Sequence, residues 1–531
     1  MCIVNPVLPG FHPDPSILRV GSDYYIASST FCWHPAVRIH HSKDLINWKL
    51  VGYAVTRESQ LNMIGNEDHG GIWAPCLSYH DGTFFLIYTD AKNWSTPAYK
   101  DVHNYLITAP SIEGPWSDPI HLNSSGFDPS LFHDDDGRKW LVNMQWDHRM
   151  DINPFSGILL QEYDHEQKKL VGPIKNIFKG TEIKLVEGPH IYKKDGYYYL
   201  LTAEGGTSWG HAATLARAKK IDGPYEVMPT NPLITSADDH TLELQRAGHG
   251  SFVETLDGQW YFAHLCGRPV MPMRKCILGR ETAIQKLEWP KGEWPRLAHG
   301  TNTPVVRVED AGLPEVSFEQ DSKKPYFNDD FDSDVLHLEY NSLRVPIEDS
   351  WATLKAKKGY LRLYGRESLI SVHHQSLVAK RIVHLDTTAS CAIDFIPDSF
   401  QQMAGLIFYY DTTNHHYLCI SQNDAGKRIL GIITADGGAH IEYPDAMVTL
   451  PDTGTVYLKG EMHGASLQFF YATTPDNWKA IGAPVDATVL ADEHKAEVKF
   501  TGAYVGLCVQ DLTGRRNHAD FDWFNMEVLK E

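Results

Sequence analysis

The sequence has no Cys-x-x-Cys and no regularly paired cysteines. Its eight thiols, Cys2, Cys32, Cys76, Cys266, Cys276, Cys391, Cys419 and Cys508, are scattered over 531 residues. That spacing excludes a disulfide-stapled scaffold and argues against structural zinc; buried thiols in a reducing compartment are expected instead. No apolar run reaches the roughly 18 residues that a membrane-spanning helix needs. The start, Met1 to Pro6, has neither a basic flank nor an apolar h-region, so no signal peptide is expected and the cytoplasm is the expected location. Cations are in short supply: 48 Lys and Arg stand against 67 Asp and Glu, a net charge of −19. Nucleic acid and anionic membrane would both be repelled, and neither is expected as a partner. Long amphipathic helical patterns are missing as well, which leaves an all-β protein as the expectation.

Apolar residues at 42% and charged residues at 22% are ordinary for a soluble globular chain. The length is too great for one core and calls for two or more domains. Aromatics are plentiful, with 14 Trp and 25 Tyr. They stack on apolar sugar faces in carbohydrate sites, but they also fill β cores.

One layout recurs five times in the first 300 or so residues. An apolar strand, a Gly-containing turn and a second, aromatic strand follow one another, as in Gly126-Phe127-Asp128-Pro129-Ser130-Leu131 leading to Asp136-Gly137 and Trp140-Leu141. Asp-Gly between apolar runs marks a hairpin, because glycine accepts positive φ without steric cost. Aligning the five copies on their turns places Asp14, Trp73, Asp128, Glu187 and His249 at one position, eight residues before each turn and 59, 55, 59 and 62 residues apart. A period of this size with short strands predicts a propeller of five blades. Ser42–Trp48, Ser111–Trp116 and Lys220–Tyr225 predict outer hairpins of three of them. Inner strands of a propeller surround its axis, so the five aligned residues should meet around one pocket. The β-like runs after about residue 327, such as Tyr360–Tyr364, Ala404–Tyr410, Val456–Gly460 and Ala503–Val509, predict a β-sandwich. The expected domains are a five-bladed β-propeller over 1–302, a polar linker over 303–326 and a C-terminal β-sandwich over 327–531.

Two aspartates and a glutamate at one mouth, beside an aromatic ring, suit acid/base chemistry on a neutral sugar. Glycoside hydrolysis needs one carboxylic acid to protonate the leaving oxygen and one carboxylate to act on the other face. A third carboxylate nearby raises the acid's pKa by like-charge repulsion. Taken singly, Asp14 and Asp128 before proline also fit turn or cap positions; Glu187 at a third equivalent position favours the catalytic reading.

The motifs His12-Pro13-Asp14-Pro15-Ser16, Gly70-Gly71-Ile72-Trp73-Ala74-Pro75, Gly126-Phe127-Asp128-Pro129-Ser130 and Glu187-Gly188-Pro189-His190 resemble those of glycoside hydrolase family 43. The resemblance runs over the whole chain and is strongest to the two-domain β-xylosidases. It implies a five-bladed propeller with a C-terminal sandwich, hydrolysis with inversion, Asp14 as general base, Glu187 as general acid and Asp128 as the modulator of the acid's pKa. It further implies that Arg280 faces the sugar and the base, that Phe31 and Trp73 wall the innermost subsite, and that Trp146 flanks the next sugar. By the same resemblance His249 lies under the pocket and Phe500 is an aromatic that the C-terminal domain supplies to it. Each of these has a structural alternative: an ion pair for Arg280, core packing for the aromatics, a hydrogen-bonded structural role for His249. In some relatives the His249 position helps hold calcium, so calcium stays open here, although no cofactor is required. The implied substrates are short xylo-oligosaccharides, cut from the non-reducing end. α-L-Arabinofuranosidase activity is the alternative within the family, a non-catalytic sugar-binding propeller is the alternative outside it, and a homo-oligomer is compatible with the sequence.

Overall fold

The computed structural model describes residues 2–95, 98–309, 325–496 and 499–529; of the expected linker, 310–324 lie outside the described residues. The chain divides into two compact units. One comprises Met1–Arg268 with Arg280–Ser322, the other Pro269–Gly279 with Lys323–Glu531.

The first unit is five antiparallel sheets in chain order. Their innermost strands are Ser16–Val20, Gly71–His80, Ser130–His133, Glu187–Lys194 and Gln245–Glu254. Each neighbours the next and the last neighbours the first, which makes the ring of a five-bladed propeller. The ring is tied by the N-terminal segment: Cys2–Val4 pairs with Arg307–Glu309, and the Asn5 amide donates to Ile284 O at 2.8 Å and accepts from Ile284 N at 2.8 Å. The outer hairpins stand where the sequence puts them. Each aromatic returns a hydrogen bond to a carbonyl upstream, Trp48 to Leu45, Trp116 to Ile112 and Tyr225 to Ile221, so the turn is closed by the polar edge of a ring that is buried in the two tryptophans and half-buried in the tyrosine.

The second unit is a sandwich of two sheets. One contains Leu361–Tyr364, His518–Val528, Asp386–Asp394, Val456–His463, Ser466–Ala472 and Lys479–Asp486; the other contains Ser376–Arg381, Tyr504–Asp511, Gln402–Asp411, Asn414–Gln422 and Arg428–Asp436. Alternation along the strands turns Leu406, Phe408, Leu458, Val505 and Phe521 into one buried core. Nothing in the sequence sets apart Pro269–Gly279, whose Ile277 and Leu278 pack into that core. Among the described residues helix is confined to the 3₁₀ turns Pro444–Ala446, Ala487–Leu490 and His494–Ala496, and no helix is long and apolar enough to cross a membrane.

Candidate active site

Near the start of each innermost propeller strand one residue takes left-handed backbone: Asp14 (φ 54), Ala74 (φ 35), Asp128 (φ 54), Gly188 (φ 57) and His249 (φ 26). Aspartate, histidine and glycine visit this region more readily than other residues; alanine there is uncommon. The strand registers show that these five are the true equivalents. Each lies six residues before the last paired residue of its hairpin: Val20, His80, Asp134, Lys194 and Thr255. The alignment drawn from the sequence is therefore corrected at two positions. Asp81-Gly82 and Asp195-Gly196 form whole two-residue turns, both residues at positive φ. Asp136-Gly137 and Asp257-Gly258 are instead the last two residues of three-residue turns, closed by Asp134 N to Arg138 O and Thr255 N to Gln259 O. Counting back eight from Asp-Gly thus goes one residue too far in the second and fourth blades. Trp73 and Glu187 precede their kinks, as Phe127 precedes Asp128.

That one-residue step separates the carboxylates by environment. Asp14 and Asp128, on the kinks, are 5% and 7% exposed. Glu187, one residue earlier, keeps partial access to solvent, as a group that meets a ligand must. Both Asp14 oxygens accept hydrogen bonds, Oδ1 from Arg280 Nη1 at 3.0 Å and Oδ2 from the Ser29 hydroxyl at 2.7 Å. Arg280 also donates to the Thr207 hydroxyl at 3.0 Å, and the Thr207 carbonyl accepts from Arg246 Nη2 at 2.7 Å. Asp128 Oδ2 accepts from the Gly188 N–H at 3.1 Å, so the residue after the glutamate is tied to the second aspartate.

Burial pushes the Asp128 carboxyl up to about 6, Asp14 adding to the rise while His249, the Gly188 N–H and Arg280 oppose it. Glu187 is held well above the ordinary carboxyl range, first by burial and then by the negative charges of Asp128 and Asp14, with Arg280 and Lys100 opposing. Burial and like charge thus favour the protonated form of Glu187.

An aromatic wall runs beside them. Ring centroids are 6.2 Å apart for Phe31 and Trp73, 5.3 Å for Trp73 and Phe127, and 6.3 Å for Phe127 and Trp146. The Arg280 guanidinium lies 5.3 Å over the Phe31 ring. Gly71 is obligatory under this wall, since a Cβ there would stand 2.4 Å from Phe31 O. Sequence reasoning missed Phe127, Ser29, Thr207 and Lys100. Phe127 was findable, because its place relative to Asp128 matches that of Trp73 relative to Ala74. Lys100 was not, since no repeat carries it. Its ammonium sits 4.5 Å over the Trp146 ring and burial lowers it to about 8, Glu67 and Glu187 opposing the fall.

His249 Nδ1 is 3.7 Å from Asp14 Oδ1, and its ring packs where a side chain on Gly188 would go, 3.0 Å from an added Cβ. His249 thus supports the Glu187-Gly188 peptide from below. It offers no calcium cage: that ion needs six to eight oxygens, Asp14 and Asp128 are already engaged as described, and among the described residues no group of three or more His, Cys, Asp or Glu side chains is arranged to hold a metal. Phe500 belongs to the second unit, half-buried in the stretch leading to Tyr504–Asp511. Gly188→Ala should destabilise the protein by about 1–3 kcal/mol through strained φ and displacement of His249; denaturant unfolding reads this directly, and unchanged stability would show that the ring has room to move.

Residues 3–295 match the model of Glycosyl hydrolases family 43, and residues 328–527 match that of the Beta xylosidase C-terminal Concanavalin A-like domain. A Xylosidase/arabinosidase 43B of Humicola insolens is 49% identical over 98% of this chain and 96% of its own. A Beta-xylosidase of Bacillus subtilis is 46% identical over 99% of each chain. The crystal structure of a xylan beta-1,4-xylosidase from Bacillus halodurans superimposes with a TM-score of 0.96 at 55% identity, covering 99% of this chain and 100% of that one.

Proposed function

The chain belongs to glycosyl hydrolases family 43, and on that footing we propose that it removes xylose from the non-reducing ends of short β-1,4-linked xylo-oligosaccharides, with inversion at the anomeric carbon. One observation carries the reading. Within a single pocket Glu187 is driven to keep its proton while both oxygens of Asp14 accept hydrogen bonds. One group is poised to give a proton and the other to take one.

In this scheme Asp14 takes a proton from a water, whose oxygen attacks the anomeric carbon from the face opposite the leaving group. Arg280 and Ser29 fix the direction of the Asp14 carboxylate. As the glycosidic bond breaks, the Glu187 carboxyl protonates the departing oxygen. Asp128 is the positioning residue for the acid: it holds the Gly188 N–H and its charge keeps the proton on Glu187. Phe31 and Trp73 cover the apolar face of the terminal sugar, and Trp146 with Lys100 stands beside the next one. Xylose and arabinofuranose present similar hydroxyls to such a wall, and the Humicola relative carries both activities in its name. Buried, chemically quiet thiols such as Cys391 and Cys419, raised above their ordinary range by burial, support a cytoplasmic setting.

Purified protein given nitrophenyl β-xyloside and nitrophenyl α-arabinofuranoside should favour the xyloside, with α-xylose as the first sugar seen by proton NMR. A preference for the arabinofuranoside would reassign the substrate, and initial β-xylose would sink the mechanism. Asp128→Asn should move the alkaline limb of the rate profile to lower pH. Its charge raises the Glu187 pKa, so its removal lets the acid lose its proton earlier as pH rises. An unmoved or upward-shifted limb in the kcat profile would remove Asp128 from this role.

A further inference from the structure

The sandwich carries a second concave site on the face of its sheet that points away from the core. The strands Asp386–Asp394, Val456–His463 and His518–Val528 lie side by side with Asp386–Asp394 in the middle. Register sets their side chains in rows. Across the first row, Ala392 is paired with Tyr457 on one side and Trp523 on the other, and the two rings face each other at 6.3 Å and 29°. In the next row Ser390 lies between Lys459 and Asn525, and beyond it Thr388 lies between Glu461 and Glu527. Small residues down the centre and large ones along the flanks make a trough. The hairpin after Ser466–Ala472 raises Trp478 as an end wall, its ring 4.8 Å from the Lys459 ammonium. The cleft has a volume of about 640 Å³, in the range of small-ligand sites.

Core packing does not account for these aromatics. The alternate residues of the same strands, Cys391, Leu458 and Phe524, are the ones buried between the sheets, whereas Tyr457, Trp478 and Trp523 stay partly open to water. Their chemistry selects a ligand. Flat rings take up the apolar C–H faces of a sugar. The amide of Asn525, the hydroxyl of Ser390 and the carboxylates of Glu461 and Glu527 can bond hydroxyl groups. Lys459 is paired with Glu461 at 2.7 Å, so the trough has a net negative charge and disfavours phosphates and uronic acids.

We propose that this trough is a second binding site for a neutral β-linked oligosaccharide of the kind whose ends the propeller trims. The choice of a xylan probe rests on the function proposed above; the site itself does not. Electrophoresis of the native full-length protein through a gel containing soluble arabinoxylan tests it. The protein should be retarded, Trp523→Ala and Trp478→Ala should each lose at least nine-tenths of that retardation, and both should hydrolyse nitrophenyl β-xyloside at the wild-type rate with unchanged circular dichroism. Asn525→Ala, which removes no core contact, should weaken retardation severalfold and guards against misfolding of the tryptophan variants. Asp14→Ala should remain retarded, which separates this site from the catalytic pocket. Unretarded wild type, or equal retardation of wild type and all three trough variants, overturns the proposal. So does a change of sedimentation coefficient in the tryptophan variants without loss of retardation, which would make the face a contact between copies of the chain. Absence of xyloside hydrolysis would instead defeat the proposed function while leaving the retardation result to be read on its own.

Discussion

Glu187→Ala should lose about 10²–10⁴-fold of its rate on xylobiose, the usual contribution of a positioned general acid, and about tenfold or less on a dinitrophenyl xyloside. The difference lies in the leaving group. A sugar alkoxide is a poor one and must receive a proton as it departs, whereas a dinitrophenolate leaves as the anion. The structure gives the reason that Glu187 can supply the proton near neutral pH: burial and the charges of Asp128 and Asp14 hold its carboxyl protonated. The variant's alkaline limb should flatten on the activated substrate, because the group whose ionisation caused it is gone. Equal losses on the two substrates would assign the acid to another residue. Glu204 is the nearest alternative in the same blade, but its oxygens already accept from Thr181 and Thr214, and it is 0% exposed.

The parts of this site that were legible in the sequence share one property: the repeat wrote them down. Hairpins joined by Asp-Gly carried the blade count, and the unusual identities at equivalent places carried the pocket. The same repeat misled by one residue in the second and fourth blades, since a two-residue and a three-residue turn both contain Asp-Gly and differ only in what precedes it. The structure turns that slip into the chemistry. Glu187 sits one residue before the kink, where it retains solvent contact, and the kink itself falls on Gly188, which alone can pack under the His249 ring and still offer its N–H to Asp128. Ser29, Thr207 and Lys100 come from loops with no counterpart between blades, and no local pattern marks them. The excursion Pro269–Gly279 was hidden for a similar reason. Its apolar Ile277 and Leu278 fall within the expected propeller span 1–302, and only tertiary contacts show that they are buried in the other unit.

Asp14→Asn and Asp14→Ala should each lose about 10²–10⁴-fold of the wild-type rate, and, unlike Glu187→Ala, they should do so on xylobiose and dinitrophenyl xyloside alike. Water must be deprotonated whatever leaves, so a better leaving group cannot compensate for a missing base. The two variants separate chemistry from folding. Asp14 is 5% exposed and bonded to Arg280 at 3.0 Å; removing one partner of a buried ion pair costs about 3–5 kcal/mol because the other charge remains in a low-dielectric site. Asp14→Ala should therefore melt at a lower temperature, while in Asp14→Asn the amide oxygen can still accept from Arg280, its NH2 turned toward the Ser29 oxygen, and should keep more of the stability. If rate followed stability, the asparagine variant would be the more active; a base predicts that both are equally inactive. Azide makes the distinction sharper. It is already an anion and needs no base, so in Asp14→Ala, which vacates space beside Arg280, it should attack the anomeric carbon of the dinitrophenyl substrate, expel dinitrophenolate and yield α-xylosyl azide with a partial return of rate. Formation of the β-azide would require attack from the leaving-group face, and no rescue together with an active asparagine variant would reduce Asp14 to a structural partner of Arg280.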